Sequence, residues 1–230
     1  MKDVEFLTHA QIVSLHEEQI RLFGGMSGIA DQGMLESATI SAQYLYLYDD
    51  ASDIFDLAAC YTFHIGKNHP FHDGNKRCAL QAALTFLEIN GIEIDFRKNY
   101  EPPLRVTDEV LTDMVLAAME NRVTQKDFAD VLFCLVGPHL IQPCADLARA
   151  HAGSLIRERS FKSNEEAKAF IIDALTSKIQ AEEIELCQRL HIRPDRIYNM
   201  SSVAKQNLFE KVSSEWRQVF GIAATKSNIK

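Results

Sequence analysis

Apolar residues return at helical spacing in one segment after another, and this constrains the fold more than any other feature of the chain. Thr8 followed three residues later by Gln11 is a capping box, after which Ile12, Leu15, Ile20 and Phe23 recur near helical intervals until Gly24-Gly25 ends the segment. Asp31 opens a short second helix carrying Leu35 and Ala38. From Ser52, Ile54, Leu57, Ala58, Tyr61 and Ile65 line one face of a strong helix that ends near Gly66. Ala79, Leu80, Ala83, Leu84 and Leu87 mark another, closed by Asn90-Gly91. Residues 107–121 and 125–135 repeat the pattern, and the class this predicts is all-α. Two short stretches alternate instead: "YLYLY", Tyr44 to Tyr48, is the best strand-like piece, and "IEIDF", beginning at Ile92, reads as briefly extended.

Between the third and fourth of these helices lies "NHPFHDGNKRCAL", Asn68 to Leu80, a loop far richer in polar groups than a connection requires. It feeds a helix start, where unpaired backbone N–H groups and the macrodipole attract anions. Gly74 allows close approach of backbone to ligand, Asn75 offers an amide donor, and Lys76 with Arg77 offer cationic donors to phosphate oxygens. A lone carboxylate at Asp73 would compete with phosphate, a conflict that Mg²⁺ bridging the two resolves. His69 has the side chain to take a proton from an attacking hydroxyl near neutral pH. Each part also has a plainer reading: His69-Pro70 as a helix terminator, Phe71 as a core plug, Asp73 as an N-cap. Their conjunction favours a site for group transfer from a nucleotide.

Composition narrows the partners. The formal net charge of -8 opposes nucleic acid and anionic membranes, so any phosphate site has to be local. No apolar run approaches the length of a membrane span, and the N-terminus lacks the apolar core of a secretory signal, which makes the cytoplasm the expected compartment. The five cysteines (Cys60, Cys78, Cys134, Cys144, Cys187) are scattered through apolar or helical patterns and read as reduced hydrophobes; His139, Cys144 and His151 match no usual zinc spacing.

"HPFHDGNKR" resembles the signature of the Fic/Doc superfamily, whose Fic branch reads H-P-F-x-D/E-G-N-G-R-x-x-R. The resemblance continues upstream through "GGMSGIADQGMLESA" and downstream through "LEINGIEI", the frame of a death-on-curing (Doc) toxin, and covers residues 6–133. It implies a compact helical bundle in which the loop and the following helix N-terminus bind ATP with Mg²⁺. In such a site His69 would be the general base, Asp73 the metal-associated acid, Gly74 and Asn75 anion-hole contributors, and Lys76 and Arg77 phosphate contacts; His72 falls at the variable position. Two departures from the Fic pattern stand out: Lys76 replaces the second glycine, and Leu80 replaces the last arginine, which in AMP-transferring members holds the γ-phosphate. The Doc branch is similar in both respects. Its members act as kinases on a threonine of elongation factor Tu, with the nucleotide reversed, and so block translation. The resemblance also places "YLYLY" where Fic proteins carry a flap that holds the target by strand addition, the plainer alternative being that these tyrosines pack.

Gly137, Pro138 and Pro143 in "VGPHLIQP" break the helical periodicity and predict a boundary, giving a Fic/Doc-like catalytic domain over 1–136 and a helical extension of unassigned role over 137–230. In the extension, helices are expected over about 144–157, from the capping box Ser163 to Glu166, onward to Leu190, and beyond a break at Pro194 through Phe209, Val212 and Trp216. The apolar faces at Phe170, Ile171, Ala174 and Leu175 and at Phe209, Val212 and Trp216 have to be buried, either within the chain or in a homo-oligomer. The inhibitory S/T-x-x-x-E-G/N motif of many Fic proteins is missing, which points to a Phd-like antitoxin acting in trans. The competing functions are AMP transfer to a protein and a non-catalytic nucleotide-binding regulator.

Overall fold

The computed structural model describes residues 4–92, 108–133, 136, 140 and 164–197. Among them every regular element is helical, as the periodicity predicts: α1 (His9–Phe23), α2 (Gln32–Tyr48), α3 (Ile54–Asn68), α4 (Asn75–Ile89), α5 (Asp108–Met119), α6 (125–133) and α7 (Asn164–Leu190). The chain divides into two compact units, one of residues 1–137 with 186–193 and one of residues 138–185 with 194–230.

In the first unit the helix starts follow local chemistry. Thr8 accepts from the Gln11 N–H while the Gln11 side chain accepts from the Thr8 N–H. Asp31 accepts from Met34 N–H at 3.0 Å, and Asp53 with Asp56 forms a second reciprocal box at the start of α3. Gly24 and Gly91, both at positive φ, follow the ends of α1 and α4.

Helix α3 runs through the middle, packed by α2, α4 and α5. Eleven of its fifteen residues are buried, so it is apolar on nearly every side, as only a central helix can be. Phe55, Leu57, Tyr61 and Ile65 are fully enclosed, each such side chain contributing about 1.5–3 kcal/mol of hydrophobic stabilisation. The buried Tyr61 hydroxyl takes the Leu7 N–H, tying the chain's first residues to the core. Near the end of α3, Gly66 leaves room for the Met119 thioether of α5, which an added Cβ would strike. Cys60, Cys78 and Cys187 are buried free thiols, and burial pushes Cys78 up to about 12, so at neutral pH it stays protonated and unreactive.

The strand expected at "YLYLY" is helix. Leu35, Ala38, Thr39 and Ala42 form the buried stripe of α2 at i, i+3, i+4 and i+7, and the helix they define continues through Tyr48. Tyr44 and Tyr48, one turn apart, stack at 5.9 Å, and both are exposed. Five alternating residues provide no neighbouring strand to pair with, whereas the helix satisfies its own backbone, so these tyrosines form no strand-adding flap. Extended pairing occurs elsewhere: Ile29 bridges antiparallel to Phe71, with Ala30 N–H donating to Pro70 O at 2.8 Å and His72 N–H to Gly28 O at 3.2 Å.

Residues 186–193 close the first unit. Leu186, Cys187, Leu190 and Ile192 are buried, and the His191 carbonyl accepts the Ile54 N–H at 3.0 Å. Arg193 donates its backbone N–H to Asp53 Oδ2 at 3.1 Å, and its guanidinium lies 3.7 Å from the Asp56 carboxylate and 3.1 Å from Ala51 O. The two helical pieces expected between Ser163 and Leu190 are one helix, α7, whose residues up to 185 belong to the second unit; in that unit a further turn starts at Pro194, a residue suited to a first helical position. The helices expected over 144–157 and through Phe209 to Trp216, and the extended piece after Ile92, lie outside the described residues.

Candidate active site

The loop between α3 and α4 takes its shape from inward-facing bonds. His69 caps α3 in the left-handed region, φ 51 and ψ 52, a conformation that non-glycine residues rarely adopt. Pro70 follows and prevents the helix from continuing. Phe71 is buried, and the Asn75 side chain clamps it from both sides: Oδ1 accepts the Phe71 N–H at 2.9 Å and Nδ2 donates to the Phe71 carbonyl at 2.8 Å. The imidazole of His16 from α1 stacks on the Phe71 ring, with centroids 3.8 Å apart and planes 3° from parallel. The amide expected to reach a ligand is therefore committed to the loop backbone, and Phe71 is the core plug the plainer reading foresaw.

Asp73 and Gly74 make the turn into α4. Asp73 Oδ1 accepts the Gly74 N–H at 2.6 Å, and its side chain remains half exposed. Gly74 is the N-cap at φ 76, and no side chain caps the helix. The first helical bond is Cys78 N–H to Gly74 O, which leaves the N–H groups of Asn75, Lys76 and Arg77 without helical acceptors. Gly25 folds against Asp73 at φ 122, where a Cβ would collide with the carboxylate.

Lys76 is exposed, whereas Arg77 is partly withdrawn. The Arg77 guanidinium donates to Gln19 O at 3.3 Å and to Gly24 O at 3.0 Å, with Phe23 beneath it at 5.8 Å and Asp73 Oδ1 4.0 Å away. A cation there satisfies the last carbonyls of α1 and opposes their dipole.

These groups meet at a cavity of about 490 Å³ lined by all six residues read from the sequence, His69, Asp73, Gly74, Asn75, Lys76 and Arg77, together with His72. The rest of the lining is Leu80 of α4 with Thr112, Val115 and Leu116 of α5. The lining thus combines a helix N-terminus and cations with the apolar side chains Leu80, Val115 and Leu116, a mixture suited to a ligand with an anionic and an apolar part. Sequence reasoning missed the α5 wall and His16. The wall carried only an i, i+3, i+4 spacing, which any amphipathic helix shows. His16 did leave a signal, because it stands between Ile12 and Gln19 on the buried stripe of α1, where a histidine needs a partner.

The chain matches the Fic/DOC family over residues 6–87, a span holding the whole loop. It is 30% identical over 127 residues to the protein kinase doc of Escherichia phage P1, covering 55% of this chain and 92% of that one. It is also 40% identical over 73 residues to toxin Doc of Mycolicibacterium smegmatis, covering 31% of this chain and 56% of that protein. With a loop of this build between two core helices, and likeness to a relative along nearly its full length, the chain belongs to the Fic/DOC family.

Proposed function

We propose that this protein is a Doc-type toxin that transfers the γ-phosphate of ATP to a hydroxyl of a protein, a threonine of elongation factor Tu being the proposed target. The observation that carries the reading is the uncapped start of α4 beside exposed His69 and half-exposed Asp73, all on one cavity. The open N–H groups of Asn75, Lys76 and Arg77 bind and orient the phosphate to be moved. Lys76 adds charge at the mouth, and Arg77 holds the end of α1 against the loop. His69 accepts the proton of the attacking hydroxyl as its oxygen bonds to the γ-phosphorus; the β–γ bridging bond breaks and ADP leaves. Asp73, the one carboxylate among the described residues lining the cavity, suits a metal held by a single carboxylate plus substrate phosphates. Mg²⁺ bound there would neutralise charge on the phosphate oxygens.

Leu80 favours γ-phosphate over AMP transfer, since it brings hydrocarbon to the wall where an arginine would hold a terminal phosphate. The relatives' names, a protein kinase and a toxin, support the same choice and suggest an antitoxin acting in trans. The test is incubation of the purified chain with elongation factor Tu, Mg²⁺ and ATP labelled at either the α- or the γ-phosphate. Label from the γ position alone is expected on the target. Label from the α position would assign AMP transfer, and ATP binding with no labelled protein in a whole-cell extract would leave a nucleotide-binding regulator.

A further inference from the structure

His16 lies outside the catalytic loop in sequence, yet it makes three separate contacts with it. Its ring is buried at 1% exposure and lies flat on Phe71. Its Nε2 is 2.9 Å from the Asp73 carbonyl oxygen, and its edge faces Gly74, whose Cβ position is 3.6 Å from Cδ2. A carbonyl has only lone pairs, so Nε2 carries the proton and donates. The Asp73 carbonyl precedes the first turn of α4, and the first helical bond is accepted one residue later, by Gly74. Without His16 this inward carbonyl has no donor on the helix, and the Asp73-Gly74 peptide is free to rotate about the glycine, the residue least opposed to rotation.

That peptide sets two things together. Its carbonyl points at α1, so its Gly74 N–H points the other way, into the Asp73 carboxylate at 2.6 Å. Turning it would release the carboxylate and redirect the start of α4. We infer that His16 is a positioning residue for phosphoryl transfer, whose Nε2–H donor locks the Asp73-Gly74 peptide so that the acid and the helix N-terminus face the same phosphate. This rests on the function proposed above, but its geometric core does not.

Two substitutions separate donor from ring. His16→Gln keeps an N–H donor at similar reach and gives up the stack; His16→Phe keeps the stack and gives up the donor. In steady-state transfer from ATP, His16→Phe should lower kcat by about a hundredfold with KM for ATP within about threefold, because misplacement harms the chemical step more than ground-state binding. His16→Gln should recover most of that loss. Amide exchange at Gly74, followed by NMR in the full chain, should be slow in the wild type and in His16→Gln and faster in His16→Phe. Should His16→Phe not fold, His16→Met, with the length of glutamine and no donor, replaces it in both measurements. Equal kcat in the donor-less and donor-bearing variants overturns the inference. If the wild type transfers no phosphate, the proposed function fails and exchange alone decides: unchanged Gly74 protection without the donor overturns the lock, and loss of protection upholds it.

Discussion

At the scale of single residues, the loop separates side chains that hold it from side chains left for chemistry. Asn75 and Phe71 face inward, while His69 and Asp73 stand exposed or half exposed on the cavity. His69→Ala should therefore abolish transfer while leaving the melting temperature nearly unchanged, because an exposed side chain contributes little packing. A folded His69→Ala protein with wild-type transfer would remove the histidine from the mechanism. Asn75→Ala should behave in the opposite way. It strips two buried hydrogen bonds from the Phe71 backbone and should cost about 2–3 kcal/mol in denaturant unfolding, with nucleotide affinity falling as the loop loosens. Unchanged stability would mean that solvent or another group satisfies Phe71 equally well.

At the scale of the elements, α3 and α4 are the frame on which the site is hung, and α5 adds three residues to its lining. The α3 helix carries half-buried His64, one turn before the loop that follows it, and burial holds its imidazole below the ordinary value of 6.5. The sign of the pH effect follows. Above about 6.5 the ring is neutral folded and unfolded, and its contribution is complete; as pH falls below that value the unfolded chain takes up the proton first, so stability declines down through the folded value. Melting measured from about pH 7.5 to about pH 5.5 should fall less steeply for His64→Gln than for the wild type. Parallel curves would show that His64 does not contribute to the acid loss.

For the molecule as a whole, the first unit is discontinuous in sequence. Residues 186–193 supply the acceptor for Ile54 N–H and the arginine beside Asp53 and Asp56, at the start of the helix whose other end carries His69. A chain ending at Gly137 should keep the proposed ATP binding, because it retains every cavity residue among the described ones, but it should be less stable by about 2–4 kcal/mol, since Asp53 stays buried without Arg193. Equal stability of the short and full chains would show that residues 186–193 rest on the unit without supporting it. Loss of ATP binding by a folded short chain would show that the later residues contribute to the site. No helix among the described residues is long and apolar enough to cross a membrane.

The sequence alone determined the helical class, the starts of α1 and α2 at Thr8 and Asp31, the glycine stops and the six loop residues that meet at one cavity. These depend on local rules: capping needs neighbours three residues apart, helical burial repeats every turn, and the loop residues are adjacent in the chain. What only the tertiary structure decided depends on distant partners. Tyr44 to Tyr48 alternate like a strand but follow the buried stripe of α2. Arg77, expected to contact phosphate, turns to the carbonyls of α1, Asn75 spends its amide on Phe71, and His16 reaches Asp73 across fifty-seven positions. The return of residues 186–193 to α3 is of the same kind. A side chain's type limits the bonds it can make, but which of them it makes is fixed by what packing brings within 3 Å, and no local pattern encodes that.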